Sequence, residues 1–263
     1  MLTDIGLNLA SQRFDRDREA VLARARAAGV QRFILTGTSV AGSAEVIILA
    51  RAHAGCHATA GVHPHEASGL DDAGLARLRQ LLADPAVVAV GETGLDFNRN
   101  YSPPAAQEAA FAAQIGLAAE TGLPLFLHER DAAERFLAML RSHRNDWQDG
   151  VLHCFTGNRE TLHACLDLGL MIGITGWVCD ERRGQELQAL VREIPDDRLL
   201  LETDAPHLLP RDLPAAPANR RNEPAFLPHV AARVAQLRGQ SLEAVAAITS
   251  ANAARLFRLP AAS

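Results

Sequence analysis

Five residues in this chain have side chains suited to holding a divalent cation or moving a proton, and each closes a short apolar run: His63, Glu92, His128, His153 and Asp204. Residues 87–90 read VVAV, a strand pattern buried on both faces, and Glu92 follows after Gly91. A carboxylate at the end of a buried strand is costly unless a metal, a cation or hydrogen-bond donors meet it. Glu92, His128 and His153 end three consecutive strands, and two imidazoles with a carboxylate make a sound divalent-metal site. Asp204 ends the last strand and faces the same way, suited to take or steer the proton of an attacking water, so it is the candidate general base. His63 is placed to contact substrate or protonate a leaving group. A single histidine of this kind is ordinarily structural; the recurrence at successive strand ends points to metal-assisted hydrolysis.

The elements that must position these residues repeat. Strands are expected at 2–9, 32–36, 57–62, 87–90, 123–127, 150–152, 170–174 and 198–202. Helices are expected at 15–28, 44–54, 71–83, 103–120, 132–144, 159–168 and 181–193, one after each strand but the last. An irregular segment, 205–224, follows the last strand, and helices at 225–237 and 241–257 finish the chain. Eight alternations in 263 residues predict one α/β domain spanning 1–263, a (β/α)₈ TIM barrel with extra C-terminal helices, whose chemistry gathers at the carboxyl ends of the strands. The length of 205–224 marks it as a functional loop over the barrel mouth.

Composition narrows the chemistry. Apolar residues make up 48%, enough for a large core, and no apolar run reaches the roughly 18 residues of a spanning helix. The opening MLTDIGLNLAS has no basic region before an apolar core, so no signal peptide is expected and a cytoplasmic location is. Cys56, Cys154, Cys165 and Cys179 show no CxxC pairing and read as buried thiols rather than disulfides or a zinc knot. The chain contains no lysine. That excludes Schiff-base chemistry, pyridoxal phosphate linkage and a carbamylated-lysine metal bridge. With net charge −5, a nucleic-acid substrate needs a local basic patch.

Arginine supplies the candidates. Arg182 and Arg183 follow the seventh strand, and Arg211, Arg220 and Arg221 lie in the loop after the eighth. Loops after the last two strands of such barrels often hold phosphate, and guanidinium matches phosphate with paired hydrogen bonds. Arg211, Arg220 and Arg221 are therefore the expected substrate-binding residues, with a solvated loop as the bland alternative. Trp177 and Phe155 sit at strand ends, where they either stack on a base or pack in the core. His53, His143 and His163 fall inside helical stretches and read as surface or packing residues; His65, His207 and His229 stay open as substrate contacts.

The segments GVHPHE (61–66), VGETGLDF (90–97), LPLFLHERDA (123–132), VLHCFTG (151–157), IGITGWVCDERRG (172–184), LLLETDAPHLLPRD (199–212) and RRNEPAFLPH (220–229) resemble the TatD-type metal-dependent deoxyribonucleases, a branch of the amidohydrolase-like barrels. That family usually opens with a strand ending in His-x-His; here the matching positions are Gly6 and Asn8. The resemblance implies a metal on Glu92, His128 and His153, with Asp204 holding water or a weak second ion. It implies a magnesium-dependent 3′-to-5′ exonuclease on single-stranded DNA, extending to RNA, with a role in DNA repair. The two imidazoles favour zinc while magnesium prefers oxygen ligands, so zinc or manganese is the alternative ion. Two rival readings remain: an amidohydrolase on a cyclic amide or lactone, and a non-catalytic nucleic-acid binding protein. A monomer is expected, since neither heptads nor an exposed edge strand are evident.

Overall fold

The computed structural model describes residues 1–260. Eight parallel strands alternate with helices in chain order: β1 (Leu2–Leu7), α1 (Arg18–Ala27), β2 (Val30–Leu35), α2 (Val40–Ala52), β3 (Cys56–Ala60), α3 (Asp72–Leu82), β4 (Val87–Asp96), α4 (Pro104–Thr121), β5 (Leu125–Arg130), α5 (Ala133–Ser142), β6 (Gly150–Leu152), α6 (Arg159–Asp167), β7 (Met171–Ile174), α7 (Gln185–Leu190) and β8 (Leu199–Leu201). Helices α8 (Leu227–Arg238) and α9 (Leu242–Leu256) follow the long loop. Local signals set the helix starts. The side chains of Ser39, Asp71, Asn158 and Ser241 each accept a hydrogen bond from a first-turn amide. Gly122, at φ 65°, ends α4 in the left-handed conformation that glycine adopts without penalty.

Each strand pairs with the next, and the sheet closes where β1 meets the segment after β8. The closure is thin. Leu7 bridges Ala205, the amide of Asp204 donates to the carbonyl of Gly6, and that of Asn8 to the carbonyl of Ala205, both at 2.9 Å. Asp4 reinforces this seam, its carboxylate accepting from the Thr203 hydroxyl and amide. The result is the (β/α)₈ barrel expected from the alternation. Ile5, Ile34, Val88, Phe126, Val151, Met171 and Leu200 fill its interior and pack against Leu256, Phe257 and Leu259. The end of α9 therefore plugs the floor, and the carboxyl ends of the strands stay open as the mouth.

The largest departure from the sequence expectation is β4. It runs ten residues to Asp96, all buried, so Glu92 lies within the strand and not at its end. A one-residue bulge makes this work: Val90 pairs with Leu125 and Thr93 with Leu127. Three steps on β4 against two on β5 reset which side chains face inward. β4 also lies unusually close to β5. A Cβ on Gly94, at φ 144°, would overlap the carbonyl oxygen of His128. At the other end of the expectation, 181–193 is helical only over Gln185–Leu190, and the helix expected at 15–28 starts at Arg18 after a short turn, Gln12–Phe14.

Arg221, expected to bind substrate, is instead a stitch. It is 9% exposed, stacks over Phe14, and gives its guanidinium hydrogens to Asp17, Glu223 and the carbonyl of Arg13 at 2.6–2.8 Å. Arg24 completes the network through Asp17 and Glu223. This ties the end of the long loop to α1: both terminal nitrogens are engaged and the unpartnered Nε is buried, so Arg221 offers a phosphate no accessible donor. The hydrogen bond from Arg221 holds the Asp17 carboxyl down at about 2. A depressed carboxylate stabilises the fold above its unfolded value and loses that contribution as pH falls through the folded one. Asp17→Asn should therefore cost about 1 kcal/mol at pH 7, the side chain being partly open to solvent. Urea melts at stepped pH should show the deficit shrinking between pH 5 and pH 2; a deficit constant over that range would contradict the pairing.

Candidate metal centre

The mouth holds a cavity of about 540 Å³ lined by His63, His65, Glu92, His128, His153, Asp204 and His207. Each donor reaches it from a different segment. His63 lies three residues beyond β3, capping the short turn Pro64–Gly69, where its Nδ1 accepts from the His65 amide. Glu92 enters from the β4 bulge, His128 from within β5, and His153 directly after β6. Asp204 lies three residues past β8 at φ 53°, a left-handed conformation that aspartate tolerates.

Three imidazoles converge on one oxygen. Glu92 Oε1 lies 2.7 Å from His153 Nε2, 3.0 Å from His128 Nδ1 and 3.4 Å from His63 Nε2. Donor atoms of His63, Glu92 and His128 all lie within 4.8 Å of one another. That trio contains His63, expected as a substrate contact, and not His153, expected as a ligand, which reaches the same Glu92 oxygen from the other side of the cluster. His128 Nε2 is buried without a hydrogen-bond partner. A lone pair or N–H left without a partner in such a place marks a position meant for something else. These features fit a divalent cation among these side chains.

The electrostatics fit the same conclusion. Burial pushes the Glu92 carboxyl up, but the imidazoles of His153 and His63 outweigh it and hold the group well below the usual carboxylate range. Burial opposes charge on His153 too, yet Glu92 and Glu202 keep its imidazolium well above the ordinary value. His63, buried with less compensation, is driven down to about 3 and is neutral at physiological pH. Burial, together with the charges of Glu92 and Glu202, raises Asp204 to about 7. A cation at the centre would reverse that last shift.

Three functional residues escaped the sequence reading. Glu202 is fully buried; one oxygen lies 3.3 Å from His153 Nδ1 and the other accepts the Cys154 amide. Asp96 lies 2.7 Å from His65 Nε2 and 3.6 Å from His128 Nε2. A carboxylate behind a ligating histidine fixes its tautomer and strengthens it as a donor. Asn8 donates to Asp204 Oδ1 at 2.9 Å. The signals were present: Glu202 is two residues before Asp204, and Asp96 is four beyond Glu92 on a strand longer than its apolar run suggested.

The two positions where the family usually carries His-x-His are thus both occupied by other work. Asn8 orients Asp204. Gly6 leaves room for Glu202: a Cβ there would overlap Glu202 Oε2, and a Cβ on Gly173 would overlap Oε1.

The remaining candidates separate. Arg211 and Arg220 line a second, smaller cleft with Trp177, Asp180, Arg183, Leu208 and Leu209. It adjoins the mouth, since His207 lines one and Leu208 the other. Arg183 stacks on Trp177 at 4.8 Å, and Arg211 is held by Asp180 and Glu181 at 3.4–3.6 Å. Phe155 is 1% exposed and belongs to the core, so it cannot stack on a base. Arg182 pairs with Glu181 at the surface.

Comparison with known proteins agrees with this geometry. A profile of the family described as TatD related DNase matches residues 3–258. The chain belongs to the TatD-related DNase family. It is 58% identical over 254 residues to a protein of Cronobacter turicensis named 3′-5′ ssDNA/RNA exonuclease TatD, covering 97% of each chain. A protein of the same name from Klebsiella pneumoniae is 56% identical over 97% of each chain. Among solved structures, YJJV, a TatD homologue from Escherichia coli, aligns with TM-score 0.90 and 29% identity over 98% of each chain. A TatD-family hydrolase from Entamoeba histolytica aligns with TM-score 0.88 at 25% identity over 97% of each. The TatD family is one of metal-dependent hydrolases, and the mouth of this member has the side chains for a divalent ion. No helix among the described residues is long and apolar enough to cross a membrane.

Two outcomes follow from the centre. Because Glu92 and Glu202 hold His153 protonated without a cation, and Asp204 titrates near 7, metal binding must displace protons. Calorimetric titration with a divalent ion should show net proton release, and affinity should fall as pH drops from 8 to 6. Glu202→Gln should lower metal affinity by about 10–100-fold; an unchanged affinity would leave Glu202 a packing residue.

Proposed function

We propose that this protein is a divalent-metal-dependent 3′-to-5′ exonuclease that hydrolyses the terminal phosphodiester of single-stranded DNA and RNA. The observation that carries the reading is the convergence of His63, His128 and His153 on Glu92 beside Asp204, in a TatD-family chain 58% identical to a protein named for that activity. Glu92, His128 and His153 are the metal-holding residues. When bound, the ion supplies Lewis acidity, polarising a phosphoryl oxygen and making water acidic enough to lose a proton near neutral pH. Magnesium is the proposed ion of turnover, although the imidazoles also suit zinc or manganese.

The residues of the chain divide the remaining work. Asp204 takes the proton of the attacking water, aimed by Asn8 and by its own left-handed backbone. Neutral His63 hydrogen-bonds a phosphate oxygen or the departing 3′ oxygen without adding charge to the mouth. Glu202 keeps His153 oriented, and Asp96 holds His65 beside the site. The Trp177 cleft takes the strand on its way out of the mouth, with stacking on the indole and phosphate contacts from Arg220 and Arg211. Arg220 has no side-chain ion pair or hydrogen bond among the described residues, so its guanidinium is free for a phosphate.

A single-stranded DNA oligonucleotide labelled at its 5′ end should give a descending ladder with magnesium and none with chelator. Glu92→Gln should remove the ladder while circular dichroism stays unchanged; a ladder of normal rate from that variant would defeat the metal assignment. Arg220→Gln should weaken binding of single strands of any sequence and lower the salt slope by about 0.7. Equal salt slopes for variant and parent would place Arg220 off the substrate path.

A further inference from the structure

Away from the mouth, three donors of different chemistry meet. Cys179 ends the short turn Gly176–Cys179 after β7, Asp212 lies in the long loop after β8, and His229 is in the first turn of α8. The thiol sulfur, a carboxylate oxygen and an imidazole nitrogen from these residues all lie within 4.8 Å of one another. His229 Nε2 is 2.6 Å from Asp212 Oδ1. Cys179 is 2% exposed, whereas the side chains of His229 and Asp212 are 28% and 40% exposed. The cluster is thus closed on the sulfur side and open to solvent on the other. None of the three lines the catalytic cavity.

We propose that Cys179, Asp212 and His229 form a second metal site, one that takes zinc and is separate from the catalytic centre. With Zn–S about 2.3 Å and Zn–N and Zn–O about 2.0–2.2 Å, donors about one tetrahedral ion sit roughly 3.3–3.7 Å apart. Reaching that spacing draws the sulfur in and parts His229 Nε2 from Asp212 Oδ1, now 2.6 Å apart, as the ion replaces their hydrogen bond. Binding releases the thiol proton to solvent and moves the imidazole proton from Nε2 to Nδ1. Sγ, Nε2 and one carboxylate oxygen then present lone pairs, and water completes the fourth position. A thiolate with an imidazole selects a borderline-soft ion over magnesium, so the two sites discriminate between cations by ligand chemistry. The thiolate and carboxylate neutralise the ion, so burying it beside Cys179 leaves no net charge there. Cys179, by the sequence reading only a buried thiol, becomes a cross-link between the β7 turn, the loop that carries Arg211 and Arg220, and α8.

Cobalt(II) tests this directly, because a cobalt–thiolate bond gives a near-ultraviolet charge-transfer band that oxygen and nitrogen ligands lack. Full-length protein, stripped with chelator and titrated with cobalt chloride, should develop the band, its amplitude saturating at one thiolate-bound cobalt per chain. Cys179→Ser should abolish it. Cys154→Ser should keep it, which matters because Cys154 lines the catalytic cavity. His229→Gln, on a side chain partly open to solvent, should retain the fold and lower the affinity measured at the band by at least about tenfold. Absence of the band in the parent, its survival in Cys179→Ser, or an unchanged affinity in His229→Gln would each overturn the site. The cluster would then be a hydrogen-bonded clasp and nothing more.

Discussion

Burying negative charge is the constraint around which this barrel is built. Asp4, Glu92, Asp96, Glu202 and Asp204 crowd the mouth and its seam, and the first four are at most 6% exposed. None of the five is ion-paired with an arginine among the described residues. Imidazoles, backbone amides, a threonine hydroxyl and an asparagine amide satisfy them in part. A divalent cation is the partner that the set as a whole calls for, and the positions of the histidines, the bulge in β4 and the glycines facing Glu202 all serve to bring those carboxylates to one place. The same arrangement explains why the histidines do not behave alike. His153, between two carboxylates, stays charged without a cation; His63, buried with weaker compensation, does not.

What could be read from the residues alone was the alternation and its polar strand ends. Eight apolar runs with helical segments between them are a repeated signal, and the repetition outweighed the ambiguity of each short run. Ligand positions were legible because a buried strand ending in histidine has few bland explanations when the ending recurs. Distance along the chain hid the rest. Glu202 belongs to His153, 49 residues away, and Arg221 to Asp17, 204 residues away; neither partnership leaves a periodic trace. Arg221 looked like Arg220, its neighbour in an arginine-rich loop, and only the packing of Phe14 and α1 against that loop separates the structural guanidinium from the free one. The extent of β4 was missed for a related reason. Its apolar run stops before Gly91, whereas the strand continues through Gly91 and Gly94, which let two strands approach closely.

Replacing the usual His-x-His by Gly6 and Asn8 is a change of division of labour. The family's first strand ordinarily contributes metal ligands; here it contributes space and an amide. Glu202 fills that space and supports His153 from behind, and Asn8 directs Asp204. The first strand thus acts on the centre indirectly, through residues of the eighth.

The seam between the first and last strands does two jobs with one set of contacts. Seven of the eight strand junctions are parallel ladders, three of them with a register shift, while the eighth rests on the Leu7–Ala205 bridge, the amides of Asn8 and Asp204 and the hydrogen bonds from Thr203 to Asp4. Asn8 and Asp204 also line the cavity at the mouth. Opening the cylinder at that junction would leave the seven ladders paired and still pull Asp204 away from Asn8, so the shape of the mouth is set where the barrel closes.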